Sequence, residues 1–237
     1  IWHAHNASFD ASVISNTIYQ NLASPNLYPF KCNGNILLDT LMLVRAIHAF
    51  DSTCGLIIPK DPKGFPVFKL EALCAANSIK IDAHKAKDDT LALRELVNII
   101  KQLSPNVYRN ALHCSVKKNA RQKLLDSPYL FAAIGTERNY QVRAFAPIAF
   151  SKEGSDCVVA DLMSDIDKIK SYSPLEVSGF LGNKIHKKYY IFRLPLNKGV
   201  VLFSADELDF LFKIEHEFDE KELFRKASQL RRDEALS

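Results

Sequence analysis

The sequence predicts an α/β segment over residues 1–104, a small β domain over residues 105–210, and the start of a helical segment over residues 211–237. Three observations predict this. Apolar residues recur at helical spacing through most of the first part, after one short strand-like run. Beyond Ser104-Pro105-Asn106 the texture changes to short apolar or aromatic runs separated by turns. From Asp206 onward the pattern becomes helical and acidic.

In order along the chain, residues 1–5 read as the end of a strand. Asp10 opens an amphipathic helix with Val13, Ile14, Ile18 and Leu22 on one face. A polar loop rich in Pro and Asn runs from Ser24 to Asn35. "LLDTLMLVRAIHAF" predicts a second helix, and "PKDPKGFP" a loop, because Pro and Gly both interrupt regular structure. "VFKLEALCAANSI" predicts a third helix. "DDTLALRELVNIIKQL" predicts a fourth, with Leu93, Leu96, Val97, Ile100 and Leu103 in phase and acids at its start, where the helix dipole favours them. In the second part "YLFAAIGT", "YQVRAFAPIAFS", "DCVVADLM", "YYIFRLPL" and "GVVLFS" read as strands. The last two flank Asn197-Lys198 before Gly199, which predicts a hairpin.

The 237 residues are 47% hydrophobic, enough for one large core or two small ones. No run approaches the length of a membrane span, and nothing reads as a signal peptide. The first residue is Ile, so the expectation is an internal piece of a longer protein. Five widely spaced cysteines without a C-x-x-C motif speak against a disulfide framework or a zinc site, and for reduced thiols in a cytoplasmic protein. A monomer is the default. Charge is uneven: residues 105–145 hold seven Lys/Arg against Asp126 and Glu137, and residues 182–200 hold five Lys/Arg and no acid. Two basic segments in one region suit a polyanionic partner.

The chemistry-bearing residues are few. Asp10 and Asp89 each stand at the start of a predicted helix, and His84 lies in the loop before the second of these. Carboxylates placed this way can converge on Mg²⁺, which accepts few protein ligands alongside water and phosphate oxygens. Two such ions activate a water and neutralise a leaving oxygen, and a nearby histidine can serve as general base. Against this, an Asp at a helix start is commonly a cap, and a loop histidine is commonly surface.

Two motifs resolve the choice by resemblance. "HNASFD" resembles the second motif of DEDDh exonucleases, and "HKAKDD" resembles their third, His-x-Ala-x-x-Asp, whose spacing selects Asp89 over Asp88. The run "GFPVFKLEALCAANSIKIDAHKAKDDTLALREL", with "APIAF", "VVADLMSDI" and "LNKGVVLF" further on, resembles bacterial exonuclease I across nearly the whole chain. The resemblance implies an RNase H-like exonuclease domain in residues 1–104, an SH3-like domain in 105–210 and the start of a helical domain in 211–237. It implies two Mg²⁺ ions, with Mn²⁺ as a substitute, and a 3′→5′ exonuclease acting on single-stranded DNA in repair or recombination. A single-stranded-DNA-binding protein is the implied protein partner. Asp10 and Asp89 would bind metal and His84 would be the general base. Asn6 and Phe9 would position Asp10 or the terminal nucleotide, with core packing the other reading of Phe9.

Single strands are gripped by backbone charge and by stacking on aromatic rings. The candidates here are Lys117, Lys118, Arg121, Lys123, Arg143 and Lys198, then Arg138, Lys184, Lys187, Lys188 and Arg193, with Tyr140, Tyr189, Tyr190 and Phe192 among them. For any single aromatic the β-domain core is the favoured reading, and the basic residues as a group are the stronger candidates. The family's first motif, Asp-x-Glu, is absent from this sequence, as are most of the implied sheet and part of the helical domain. The expectation is therefore exposed apolar faces on residues 1–104 and poor activity from the chain as it stands. A non-catalytic single-strand-binding module derived from such an enzyme is the alternative.

Overall fold

The structure is a computed structural model that describes residues 1–21, 34–80, 86–136, 139–152, 154–173, 175–177, 191–196, 199–212 and 218–232. It is a mixed α/β architecture with a parallel strand pair and a five-stranded antiparallel sheet.

Strand β1 (Trp2–Ala4) pairs in parallel with β2 (Leu37–Asp39), in the register Trp2↔Leu37, His3↔Leu38, Ala4↔Asp39. Helix α1 (Ala7–Gln20) follows β1, and its start lies three residues before Asp10. The expected apolar face of α1 is not buried: Val13 is 47% exposed and Ala7 is the one residue of the helix in the core. Leu22 lies outside the described residues. Ile1, Trp2, Phe9 and Tyr19 are exposed as well, so the β1–α1 region carries the apolar surface expected for residues 1–104.

The "LLD" of the predicted second helix is strand β2, and helix α2 (Thr40–Phe50) begins after it. The division is local chemistry. Leu38 is buried beside β1, and the Asp39 carboxylate accepts from the Leu41 N–H as the α2 cap. Helix α2 then buries Leu43, Val44, Ala46, Ile47 and Phe50. The predicted loop at 59–66 is held by the Asp61 carboxylate, which accepts from the N–H groups of Lys63 and Phe65, with Gly64 at φ 83°. Helix α3 (Leu70–Ala76) is shorter than predicted, because Ser78 takes a left-handed conformation and turns the chain. Helix α4 (Ala86–Leu103) buries Ala92, Leu96, Val97 and Ile100, while Leu103 stays partly exposed.

The stretch after Ser104 opens with two helices, α5 (Pro105–Ser115) and α6 (Lys117–Asp126), and strands begin only at Leu130. Strands β3 (Leu130–Thr136), β4 (Asn139–Phe150), β5 (Asp156–Asp161), β6 (Ile191–Pro195) and β7 (Leu202–Phe203) form the antiparallel sheet in the order β6-β5-β4-β3-β7. The hairpin expected across Asn197-Lys198 is therefore not made. Strand β6 pairs with β5 and β7 with β3, at opposite edges of the sheet. Apolar runs read in sequence identify strands but not which neighbour each will pair with.

Successive residues of a strand face opposite sides, and the two sides feed two cores. Leu130, Ala132, Phe145, Val159 and Leu194 pack with Cys114, Ala120 and Leu124 of α5 and α6. Phe131, Ala144, Ala146, Ala160 and Phe203 join the larger cluster, which reaches back to Leu38, α2 and α4 on the other side of position 104. Helix α7 (Ile166–Lys170) is capped by Asp165, which accepts from the N–H groups of Asp167 and Lys168. Helices α8 (Ala205–Phe212) and α9 (Glu220–Arg232) close the described chain, and α9 buries Leu223, Ala227 and Leu230 in the larger cluster. Among the described residues no helix is long and apolar enough to cross a membrane.

Candidate active site

Parallel strands that each feed a helix leave a crevice at their carboxyl ends, where ligands of such sheets are commonly bound. Here β1 runs through His5 and Asn6 into α1, and β2 runs through Asp39 into α2. Asp10 lies in the first turn of α1 with its side chain in solvent. Asp88 and Asp89 lie in the first turn of α4 and are half-buried. Both α1 and α4 pack on β1. The two acids that the motifs select are thus carried on helix starts, where the helix dipole favours the ionised carboxylate. Their oxygen donors are the type that Mg²⁺ takes. Among the described residues no group of three or more His, Cys, Asp or Glu forms a complete metal cluster, and His84 falls in the segment 81–85, outside those residues. The described donors thus suit a hard cation in type.

Asn6 and Phe9 flank Asp10. Asn6 is exposed and sits at φ 68°, ψ 51°, a left-handed conformation that Asn tolerates better than most residues. Phe9 is 65% exposed in this chain, next to Asp10 in the first turn of α1.

Asp39 and Arg45, both close enough to act on His5, are not singled out by the sequence, where His5 stands out only beside Asn6 and Asp10 in "HNASFD". The Asp39 carboxylate accepts from the N–H groups of Asn6 and Ala7 as well as from Leu41. His5 is hydrogen-bonded through Nε2 to the Phe68 carbonyl at 2.8 Å, and its buried Nδ1 has no partner among the described residues. Burial pushes its pKa below the ordinary value, aided by Arg45 and opposed by the Phe68 hydrogen bond and Asp39. The Arg45 guanidinium of α2 lies 4.8 Å from the Tyr140 ring centre and 5.7 Å from that of Phe68. One available signal was Arg45 itself, the lone cation in an otherwise apolar helix run.

The basic candidates divide by partner. Lys118 and Arg121 on α6 are exposed, and the Arg121 guanidinium lies 4.7 Å over the Phe150 ring. Lys117 is exposed at the start of the same helix, whose first turn holds no acid. Lys123 is paired with Glu207 at 2.5 Å, and Arg143 with Asp161 at 2.5 Å. Arg193 is exposed on β6. Arg138, Lys184, Lys187, Lys188, Lys198, Tyr189 and Tyr190 lie outside the described residues. Tyr140 is half-buried beneath Arg45, and Phe192 packs against the smaller core. Cys54, Cys74, Cys114 and Cys157 are free thiols. Burial pushes Cys74 and Cys114 up to about 11 and Cys157 up to about 12, so these three are inert packing residues.

With this geometry established, the chain can be set beside known proteins. It is 32% identical over 187 residues to the exodeoxyribonuclease I of Haemophilus influenzae, covering 76% of this chain and 39% of that protein. Its fold matches that of Escherichia coli exonuclease I in complex with a dT13 oligonucleotide, with a TM-score of 0.78 and 22% identity, covering 99% of this chain and 53% of the other. An exonuclease I/SSB-Ct complex matches with a TM-score of 0.76 and 21% identity, over 98% of this chain and 52% of that one. No protein-family model matches. The fold is one that solved exonucleases share. The chain belongs to the exonuclease I family, and it spans about two fifths of the length of the curated relative.

Proposed function

We propose that this chain is part of a divalent-metal-dependent DEDDh exonuclease that removes nucleotides from the 3′ end of single-stranded DNA. The observation that carries the reading is the pair Asp10 and Asp89. They stand in the first turns of two helices packed on the same strand, in a chain whose relative is named exodeoxyribonuclease I. Residues 1–104 are assigned to an RNase H-like domain, 105–210 to an SH3-like domain and 211–237 to the start of a helical domain. The complete protein would be a cytoplasmic monomer.

Two Mg²⁺ ions, or Mn²⁺ in their place, would supply an activated water and charge neutralisation at the leaving oxygen. Asp10 and Asp89 would hold them. His84 would take the proton from the attacking water. The exposed Phe9 ring would stack on the terminal base, and Asn6 would orient the same nucleotide. Lys117 and Lys118 stand at the start of α6, where the helix dipole disfavours cations, and an anionic strand passing there relieves that cost. With Arg121 and Lys198 they would track the phosphates, while Lys123 and Arg143 would contribute as cations already neutralised by a carboxylate. A relative is described in complex with SSB-Ct, so a single-stranded-DNA-binding protein is the proposed partner.

The test is degradation of 5′-labelled single-stranded DNA by the intact protein with Mg²⁺, beside matched RNA and duplex DNA. Laddering on single-stranded DNA, lost with a chelator, is expected. Asp10→Ala and Asp89→Ala abolish cleavage and keep DNA binding, and His84→Ala slows cleavage by about 10²–10⁴-fold. Normal cutting by either aspartate variant overturns the site. Salt-sensitive binding without cleavage by the unaltered protein would leave a binding module.

A further inference from the structure

We infer that Asp39 is a positioning residue for Asp10, acting across the β1–β2 pair. The inference rests on the reading of Asp10 as a metal-binding carboxylate.

Helix α1 has no cap of its own. Asn6 occupies the cap position in a left-handed conformation, and its side-chain oxygen accepts from the Ser8 hydroxyl at 3.4 Å and from no backbone N–H of the helix. The first N–H groups of a helix need acceptors. They are supplied from the neighbouring strand. At the register Ala4↔Asp39 the end of β2 lies beside the end of β1, and the Asp39 carboxylate reaches the α1 start. Its Oδ1 accepts from the Asn6 N–H at 3.1 Å and from the Leu41 N–H at 3.0 Å, and its Oδ2 accepts from the Ala7 N–H at 3.1 Å. One side chain therefore caps two helices.

The consequence is directional. The Asn6–Ala7 turn sets the angle at which α1 leaves β1, and Asp10 projects from the first turn of that helix. Ala7 is the buried anchor at the turn and the rest of α1 has little packing to hold it. A non-glycine residue persists in the left-handed region where its surroundings enforce it. The enforcing contacts here are the two N–H···carboxylate bonds to Asp39, which are charge-assisted and stronger than neutral ones. Because both oxygens are engaged by backbone donors, Asp39 acts on Asp10 through the backbone. Groups that orient metal ligands typically change affinity by about 10–100-fold when removed.

Two variants of the intact protein separate this role from plain capping. Asp39→Ser keeps an oxygen able to cap α2 but cannot span to both Asn6 and Ala7. Asp39→Asn keeps the shape but sets an NH₂ against an N–H donor. The readouts are Mn²⁺ binding by electron paramagnetic resonance and amide exchange in the metal-free protein. The expected result is faster exchange over residues 6–10, unchanged protection over residues 41–47 in the Ser variant, and Mn²⁺ affinity weakened about tenfold or more. If Mn²⁺ affinity and exchange over residues 6–10 both match the parent, the inference falls. Should the Ser variant fail to fold, the isosteric Asn variant decides by the same two readouts. Asp10→Asn is the reference. If it also binds Mn²⁺ like the parent, the metal-site reading fails. If it loses Mn²⁺ while both Asp39 variants keep it, only the role of Asp39 fails.

Discussion

Replacing Arg143 by Ala distinguishes two uses of a cation that the sequence assigns to DNA. Arg143 sits on β4, and Asp161 ends β5, diagonally opposite, since Phe145 is the direct partner of Asp161. The guanidinium Nε donates to Asp161 Oδ2 at 2.7 Å, and Nη2 lies 2.5 Å from the same oxygen. Asp161 Oδ1 accepts from the Met163 N–H at 2.9 Å, and the residue is only 8% exposed. Removing the arginine leaves a buried carboxylate with one neutral donor. Breaking a fully buried pair costs about 3–5 kcal/mol, and an exposed one about 0–1. The Arg143 side chain is 33% exposed, so the expected loss is about 2 kcal/mol. In a chain of this size that lowers the melting temperature by about 4–8 °C. Asp161→Asn combined with Arg143→Leu should recover part of it, because the amide oxygen still accepts from Met163. The companion assay is the salt dependence of single-stranded DNA binding. A cation already matched by Asp161 contributes little, so the slope of log affinity against log salt should hold. A slope reduced by about 0.7, the share of one phosphate contact on a single strand, with an unchanged melt would refute the reasoning.

Two further outcomes follow from buried polar groups. Asn110→Ala strips β7 of its outer partner, since the Asn110 side chain donates to the Leu202 carbonyl at 2.6 Å and accepts from the Leu202 N–H at 3.0 Å. Two backbone groups left bare should cost about 2–4 kcal/mol, seen as a lower urea midpoint with an unchanged slope; a midpoint within error of the parent would mean water replaces the amide. His3 is held near 4 by burial first, then by Lys101 and the α-amino group, and it stays neutral in the fold at neutral pH. The unfolded chain takes up that proton near 6.5, so the stability is complete above 6.5 and falls as pH drops from 6.5 toward 4. The limit is about 3 kcal/mol, and screening at a half-exposed ring reduces it to about 1. His3→Asn should therefore lose less stability than the parent between pH 7.5 and pH 4.5 in denaturant titrations, and equal losses would remove His3 as the cause.

Sequence alone determined which segments are helix and strand wherever the signal is local. The period of Leu96, Val97 and Ile100 in α4 and the alternation around Leu130, Phe131 and Ala132 in β3 are written in neighbouring residues. The proposal of Asp10 and Asp89 as the metal-binding pair likewise comes from motifs a few residues long. The tertiary structure decided what depends on partners distant in sequence. It placed β6 and β7 on opposite edges, because pairing follows the burial of both sheet faces and not adjacency in the chain. It ended β2 at Asp39, where a parallel neighbour and a cap compete with a helical pattern. It tied Lys123 and Arg143 to carboxylates, a fact composition cannot carry because charge does not name its partner. It also brought Asp39 to Asn6 and Ala7 across more than thirty residues of chain, and such a hydrogen bond exists only once two strands lie side by side.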